Sequence, residues 1–139
     1  GRIREFCKNA GLKVPETMGD VVLCIYQSLA LKYRYVTEAM EGLMGRSYRV
    51  IHMIGGGTKD RLLCQMTADA TGRRVVAGPT EATAMGNIAV QLMALGEIEN
   101  LEGIRRVIKA STDTKVYMPS GQPGWDEAYE RFKKNCLEQ

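Results

Sequence analysis

Val50-Ile51-His52-Met53-Ile54-Gly55-Gly56-Gly57-Thr58-Lys59-Asp60 is an apolar run that breaks on three consecutive glycines. From Tyr48 to Ile54 the residues are β-rich and apolar on both faces, which suits a strand covered on both sides in a parallel sheet. A helix-like segment from Thr58 to Thr71 follows and stops at Gly72. Arg74-Val75-Val76-Ala77 then reads as a second short strand. Strand, helix and strand in that order predict one right-handed βαβ unit and an α/β fold. Glycines at such a junction bare main-chain N–H groups near the positive end of a helix, with no side chain in the way. A flat base or a phosphate can lie against that backbone. Gly55, Gly56 and Gly57 are therefore candidate nucleotide contacts, with Asp60 able to accept from an amine or a ribose hydroxyl. The structural alternative is a tight turn that only glycine fits. Neither the P-loop pattern nor G-x-G-x-x-G matches this stretch.

Outward from the junction the chain is mostly helical. Residues 2–10 read as a short helix. Pro15 suits the first turn of the next, with Glu16 and Asp20 near its positive end. Val21, Val22, Ile25, Leu29, Tyr33, Val36, Met40 and Leu43 recur at spacings of three and four, predicting a long amphipathic helix that ends near Gly45. Downstream, Gly78-Pro79-Thr80-Glu81 reads as a turn opening a helix from Ala82 to Leu95, started by Pro79 or Thr80. Glu81 there is a capping residue or, as the alternative, a group that orients a ligand. Gly86 inside that helix costs stability unless something packs close against it, and close helix–strand packing is the expected reason. Asn100 starts another helix to about Ala110, and Lys115 to Met118 is extended. A last helix from Trp125 to Leu137 has Trp125, Tyr129 and Phe132 as its apolar contacts.

The tally is two firm parallel strands and about six helices. A two-stranded parallel sheet is a poor stand-alone object. Residues 1–139 are thus expected to be a single partial domain whose sheet continues in further chain.

Apolar residues make up 45% and charged residues 25% of the 139, the ordinary balance of a globular domain. The net charge of +3 is small and no basic run reaches five residues, which disfavours nucleic acid as a partner. No apolar stretch is long enough for a membrane span, and the N-terminus has no signal-peptide core. Cys7, Cys24, Cys64 and Cys136 are widely spaced and His52 is the single histidine, so a zinc site is not expected. Free cytoplasmic thiols are the simplest reading, although Cys7 and Cys24 fall on adjacent helices and a bridge between them is open. His52 reads as a core histidine, Lys59 as a solvated lysine, Arg73 and Arg74 as surface charges, and Cys64 as a buried thiol. Met40, Met44, Met53, Met66, Met85 and Met93 read as core filler. No general base and no metal-binding carboxylate pair stands out, so no residue of this sequence is expected to be catalytic or to bind a metal.

Ile51-His52-Met53-Ile54-Gly55-Gly56-Gly57-Thr58-Lys59-Asp60-Arg61-Leu62-Leu63-Cys64-Gln65-Met66-Thr67-Ala68-Asp69-Ala70-Thr71-Gly72 resembles the adenosine-binding segment of the FGGY carbohydrate kinases. Arg74-Val75-Val76-Ala77-Gly78-Pro79-Thr80-Glu81-Ala82-Thr83-Ala84-Met85-Gly86-Asn87-Ile88 resembles it too, and Cys24-Ile25-Tyr26-Gln27-Ser28-Leu29-Ala30-Leu31-Lys32-Tyr33 fits the same family. The resemblance implies the C-terminal part of the second domain of an actin-like, ribonuclease-H-like ATPase. It implies ATP-dependent phosphorylation of L-rhamnulose at O1, with ATP in a cleft between two domains. Another ketose, such as L-fuculose or xylulose, and a non-catalytic nucleotide-binding module are the alternatives. On this likeness Gly56 contacts the nucleotide with Gly55 and Gly57 beside it. Asp60 stands where the family usually has Asn, and a carboxylate accepts but cannot donate. The catalytic aspartate, the first phosphate loop and the Mg2+ ligands are implied to lie in an N-terminal part upstream of Gly1. That part, the sugar and ATP are the implied partners, and the isolated piece is expected to be inactive.

Overall fold

The structure is a computed structural model that describes residues 1–137. Helix α1 (Arg2–Asn9) leads into α2 (Met18–Met44), which is 27 residues and about 40 Å long. The expected start at Pro15 moves to Met18 because Thr17 and Asp20 form a reciprocal cap. The Thr17 hydroxyl accepts from the Asp20 N–H, and the Asp20 carboxylate accepts from the Thr17 N–H. Gly45, at φ 62°, ends the helix as expected.

Strand β1 (Val50–Met53), helix α3 (Arg61–Thr71) and strand β2 (Arg74–Ala77) form the βαβ unit. The strands run parallel, with Val50 opposite Arg74 and Met53 opposite Ala77. The expectation of two strands is corrected by a third. Strand β3 (Lys115–Tyr117) lies antiparallel on the far edge of β2, with Val75 opposite Tyr117 and Ala77 opposite Lys115. Three alternating residues carried too weak a strand signal to be counted. The sheet order is β1-β2-β3, so β2 is central and β1 is an edge. Helices α4 (Ala82–Ala94), α5 (Leu101–Ser111) and α6 (Trp125–Cys136) complete the chain.

The core forms where α2, α3 and α6 meet. Ala30, Leu31, Ala70 and Tyr129 are buried there, with Met66, Trp125 and Phe132 packed against them. Trp125, Tyr129 and Phe132 therefore do what their spacing predicted. Helix α6 is also tied to α2 by polar groups. The Tyr129 hydroxyl donates to Glu38 at 2.7 Å, and Arg34 pairs with Glu38 (2.8 Å) and Asp126 (2.7 Å) while stacking on the Tyr129 ring. Burial opposes ionisation of Glu38, but the bonds from Tyr129 and Arg34 outweigh it and hold the carboxyl below its usual range.

The side of α2 that packs is not its apolar stripe. Val22, Ile25, Leu29, Tyr33, Val36, Met40 and Leu43 are all exposed, Leu43 at 87%. The small Ala30 with Leu31 lies on the buried side instead. Of the six methionines read as core filler, Met66 packs against the core, Met53 and Met85 are half-buried, and Met40, Met44 and Met93 are exposed. His52 is exposed as well, since β1 is an edge strand, so it is no core histidine. Arg73 is not a surface charge: it pairs with Glu41 at 2.6 Å and donates to the carbonyls of Tyr48 and Thr71. The four cysteines are free, with Cys64 buried. Cys7, Cys24 and Cys136 line one apolar hollow of about 1160 Å3 between α1, α2 and α6. Among the described residues no helix is long and apolar enough to cross a membrane.

Candidate functional site

The segment between β1 and α3 and the segment between β2 and α4 stand side by side, because their strands are paired. The Gly78 N–H donates to the Met53 carbonyl at 2.9 Å, and the Gly55 N–H donates to the Pro79 carbonyl at 3.2 Å. Two βα turns therefore open at the same carboxyl edge of the sheet, where ligands of open α/β sheets bind.

The glycine turn is not the direct start of α3. Gly56 to Lys59 form one 3-10 turn, and α3 begins only at Arg61, with Asp60 as its cap. The three glycines do different things. Gly55 sits at φ 82°, ψ −165°, a backbone state that glycine alone adopts freely, and its N–H is already taken by Pro79. Gly55 is thus a glycine of the fold. Gly56 and Gly57 are exposed, and among the described residues nothing takes their N–H groups. Their φ angles are not in the left-handed region, and a Cβ on either would meet nothing within 4 Å. The fold itself places no demand for glycine at 56 or 57.

Asp60 is half-buried and engaged on both oxygens. Oδ1 accepts from the Leu63 N–H at 2.9 Å, and Oδ2 accepts from the Tyr26 hydroxyl of α2. The Tyr26 bond, then the Leu63 bond, hold its carboxyl below the usual range. Here Asp60 is a helix cap bound to a neighbouring helix, with a lone pair left on each oxygen. Lys59 is exposed, as expected.

Thr58, which the sequence places in the candidate turn without a role of its own, is the one buried residue of that turn. Its hydroxyl donates to the Gly55 carbonyl at 2.7 Å and lies 3.1 Å from the Thr80 hydroxyl. Thr80 therefore links the turns and does not cap α4. Glu81, at the cap position, makes no side-chain bond and is exposed, so the capping expectation fails for both residues. Gly86 has no neighbour within 4 Å of where a Cβ would stand, so close strand packing is not its reason. No local signal pointed to Tyr26, which lies 34 residues before Asp60.

Residues 1–95 match the C-terminal domain of the FGGY family of carbohydrate kinases. The chain belongs to that family. This FGGY chain is 47% identical over 135 residues to a rhamnulokinase of Bacteroides thetaiotaomicron, covering 97% of its own length and 28% of the relative's. It is 41% identical over 116 residues to a rhamnulokinase of Halalkalibacterium halodurans, covering 84% of its length and 25% of the relative's. The FGGY chain thus spans about a quarter of the length of the curated relatives it matches, and it resembles their C-terminal part.

Proposed function

We propose that residues 1–139 are a partial domain of an ATP-dependent ketose kinase and supply the adenosine side of its ATP site. Gly55, Gly56 and Gly57 form the backbone cradle and Asp60 stands at its end. The fold proposed for the complete domain is the actin-like, ribonuclease-H-like ATPase fold. The substrate proposed is L-rhamnulose, phosphorylated at O1, in keeping with what the two relatives are called. A reducing, cytoplasmic setting fits four thiols without a bridge.

One observation carries this reading. Gly56 and Gly57 are glycine at positions where neither backbone angle nor packing asks for it, beside two free N–H groups. The missing side chains make sense if a ligand comes close to the main chain. ATP fits such a cradle: the free N–H groups can donate to acceptor atoms of the nucleotide. Among the described residues no group of three or more His, Cys, Asp or Glu side chains stands together to hold a metal, and the proposed ligands of Mg2+ are the nucleotide phosphates and the remainder of the kinase. No catalytic step is assigned to these residues.

The remainder of the kinase is the proposed partner. The apolar stripe of α2, the free edge of β1 and the exposed Ile54, Ile88 and Val90 are surfaces for it to cover. The test is the full-length protein assayed with ATP against a panel holding L-rhamnulose, L-fuculose and xylulose. Phosphorylation of L-rhamnulose ahead of the others is expected. No phosphorylation of any ketose would end the kinase reading.

A further inference from the structure

We propose that Tyr26 is a positioning residue of the nucleotide site, acting through Asp60 on the turn that carries Gly56 and Gly57. The inference rests on the reading of that turn as the adenosine contact.

The turn is anchored at both ends and in the middle, and the anchors come from two directions. At its start Gly55 donates to Pro79, and in its middle Thr58 meets Thr80. Both partners belong to the neighbouring βα turn. At its end Asp60 is held from the opposite side by Tyr26 of α2. Among the described residues this is the single side-chain bond between α2 and the turn. It joins a neutral donor to an ionised acceptor, which makes it stronger than a neutral pair. Tyr26 is also well seated, half-buried and one helical turn before Ala30, which is fully buried.

Gly56 and Gly57 have no side chains and no partners, so nothing of their own fixes where their N–H groups point. Their direction is set by the turn as a whole, and the turn is set by its anchors. Without the Tyr26 hydroxyl, Asp60 keeps its bond to Leu63, so the α3 cap survives while the turn is released from α2. Asp60 is then a clamp: each of its oxygens already accepts one hydrogen bond within the protein, and the free donors of the turn are the two main-chain N–H groups.

The experiment uses the full-length kinase. Tyr26→Phe removes one hydroxyl and no packing. The expected result is a rise of about three- to tenfold in the KM for ATP, from the loss of one hydrogen bond, with kcat and the sugar KM within twofold. A purely structural role would lower the thermal midpoint or the active fraction without that split. Asp60→Ala is the second variant: it removes the acceptor of the Tyr26 bond together with the α3 cap, so the double variant is expected to be no worse than Asp60→Ala alone. Gly56→Val is the control. If it raises the ATP KM while Tyr26→Phe does not, the positioning role is overturned and the site stands. If Gly56→Val changes nothing, the site falls and Tyr26 with it.

Discussion

The Thr80 hydroxyl donates to the Thr58 hydroxyl across 3.1 Å, because the single proton of Thr58 is already committed to the Gly55 carbonyl at 2.7 Å. The two βα turns are thereby joined through side chains as well as through the Gly55 and Pro79 backbone. Thr58→Val keeps the shape and removes the acceptor, leaving Thr80 unpaired. A loss of about 1–3 kcal/mol is expected in urea unfolding of the full-length protein. A midpoint unchanged from the parent would mean the link carries no weight.

Gly55 and Gly56 are adjacent yet should respond oppositely to a side chain. Gly55→Ala forces a Cβ into a glycine-only backbone state and should cost about 1–3 kcal/mol of stability. Gly56→Val meets open space, so its thermal midpoint should hold while the KM for ATP rises. Calorimetry beside initial-rate kinetics separates the two effects.

Glu81 should be nearly silent. It is exposed and makes no cap bond, so Glu81→Ala is expected to shift stability by less than about 0.5 kcal/mol. A larger loss in chemical denaturation would restore the capping role that the sequence suggested.

Glu38 gives a pH dependence of defined sign. Its carboxyl is held below the ordinary range in the folded protein, so the Tyr129–Glu38–Arg34 cluster contributes stability above the unfolded carboxyl pKa of about 4.3. That contribution is lost as pH falls through the lower folded value. Tyr129→Phe removes one of the two bonds that lower the pKa and should move acid unfolding to higher pH. Identical acid-unfolding curves for parent and variant would refute the linkage.

Local pattern sufficed for much of the fold. Arg74 to Ala77 is the second short strand that its residues predicted, and Gly45 and Gly72 end their helices in the left-handed state. The reading failed where a residue had two roles open to it. Thr80 before a helix is an ordinary cap, but a hydroxyl from a turn 22 residues away offered a better-placed acceptor. Arg73 beside Arg74 resembles any pair of surface charges until Glu41 of α2 lies against it. The apolar stripe of α2 was legible as a stripe, but spacing cannot say which neighbour covers it.

In the candidate site, bare backbone after β1 was legible from sequence alone, since three consecutive glycines carry no side chains. It also determined the βαβ order, because periodicity and glycine stops are local properties of the chain. Tertiary structure decided which glycine serves the fold and which stays open, because backbone angle and free space depend on neighbours. It also turned Asp60 into a clamp held by Tyr26, a pairing created by α2 packing on α3 and invisible across 34 residues of sequence.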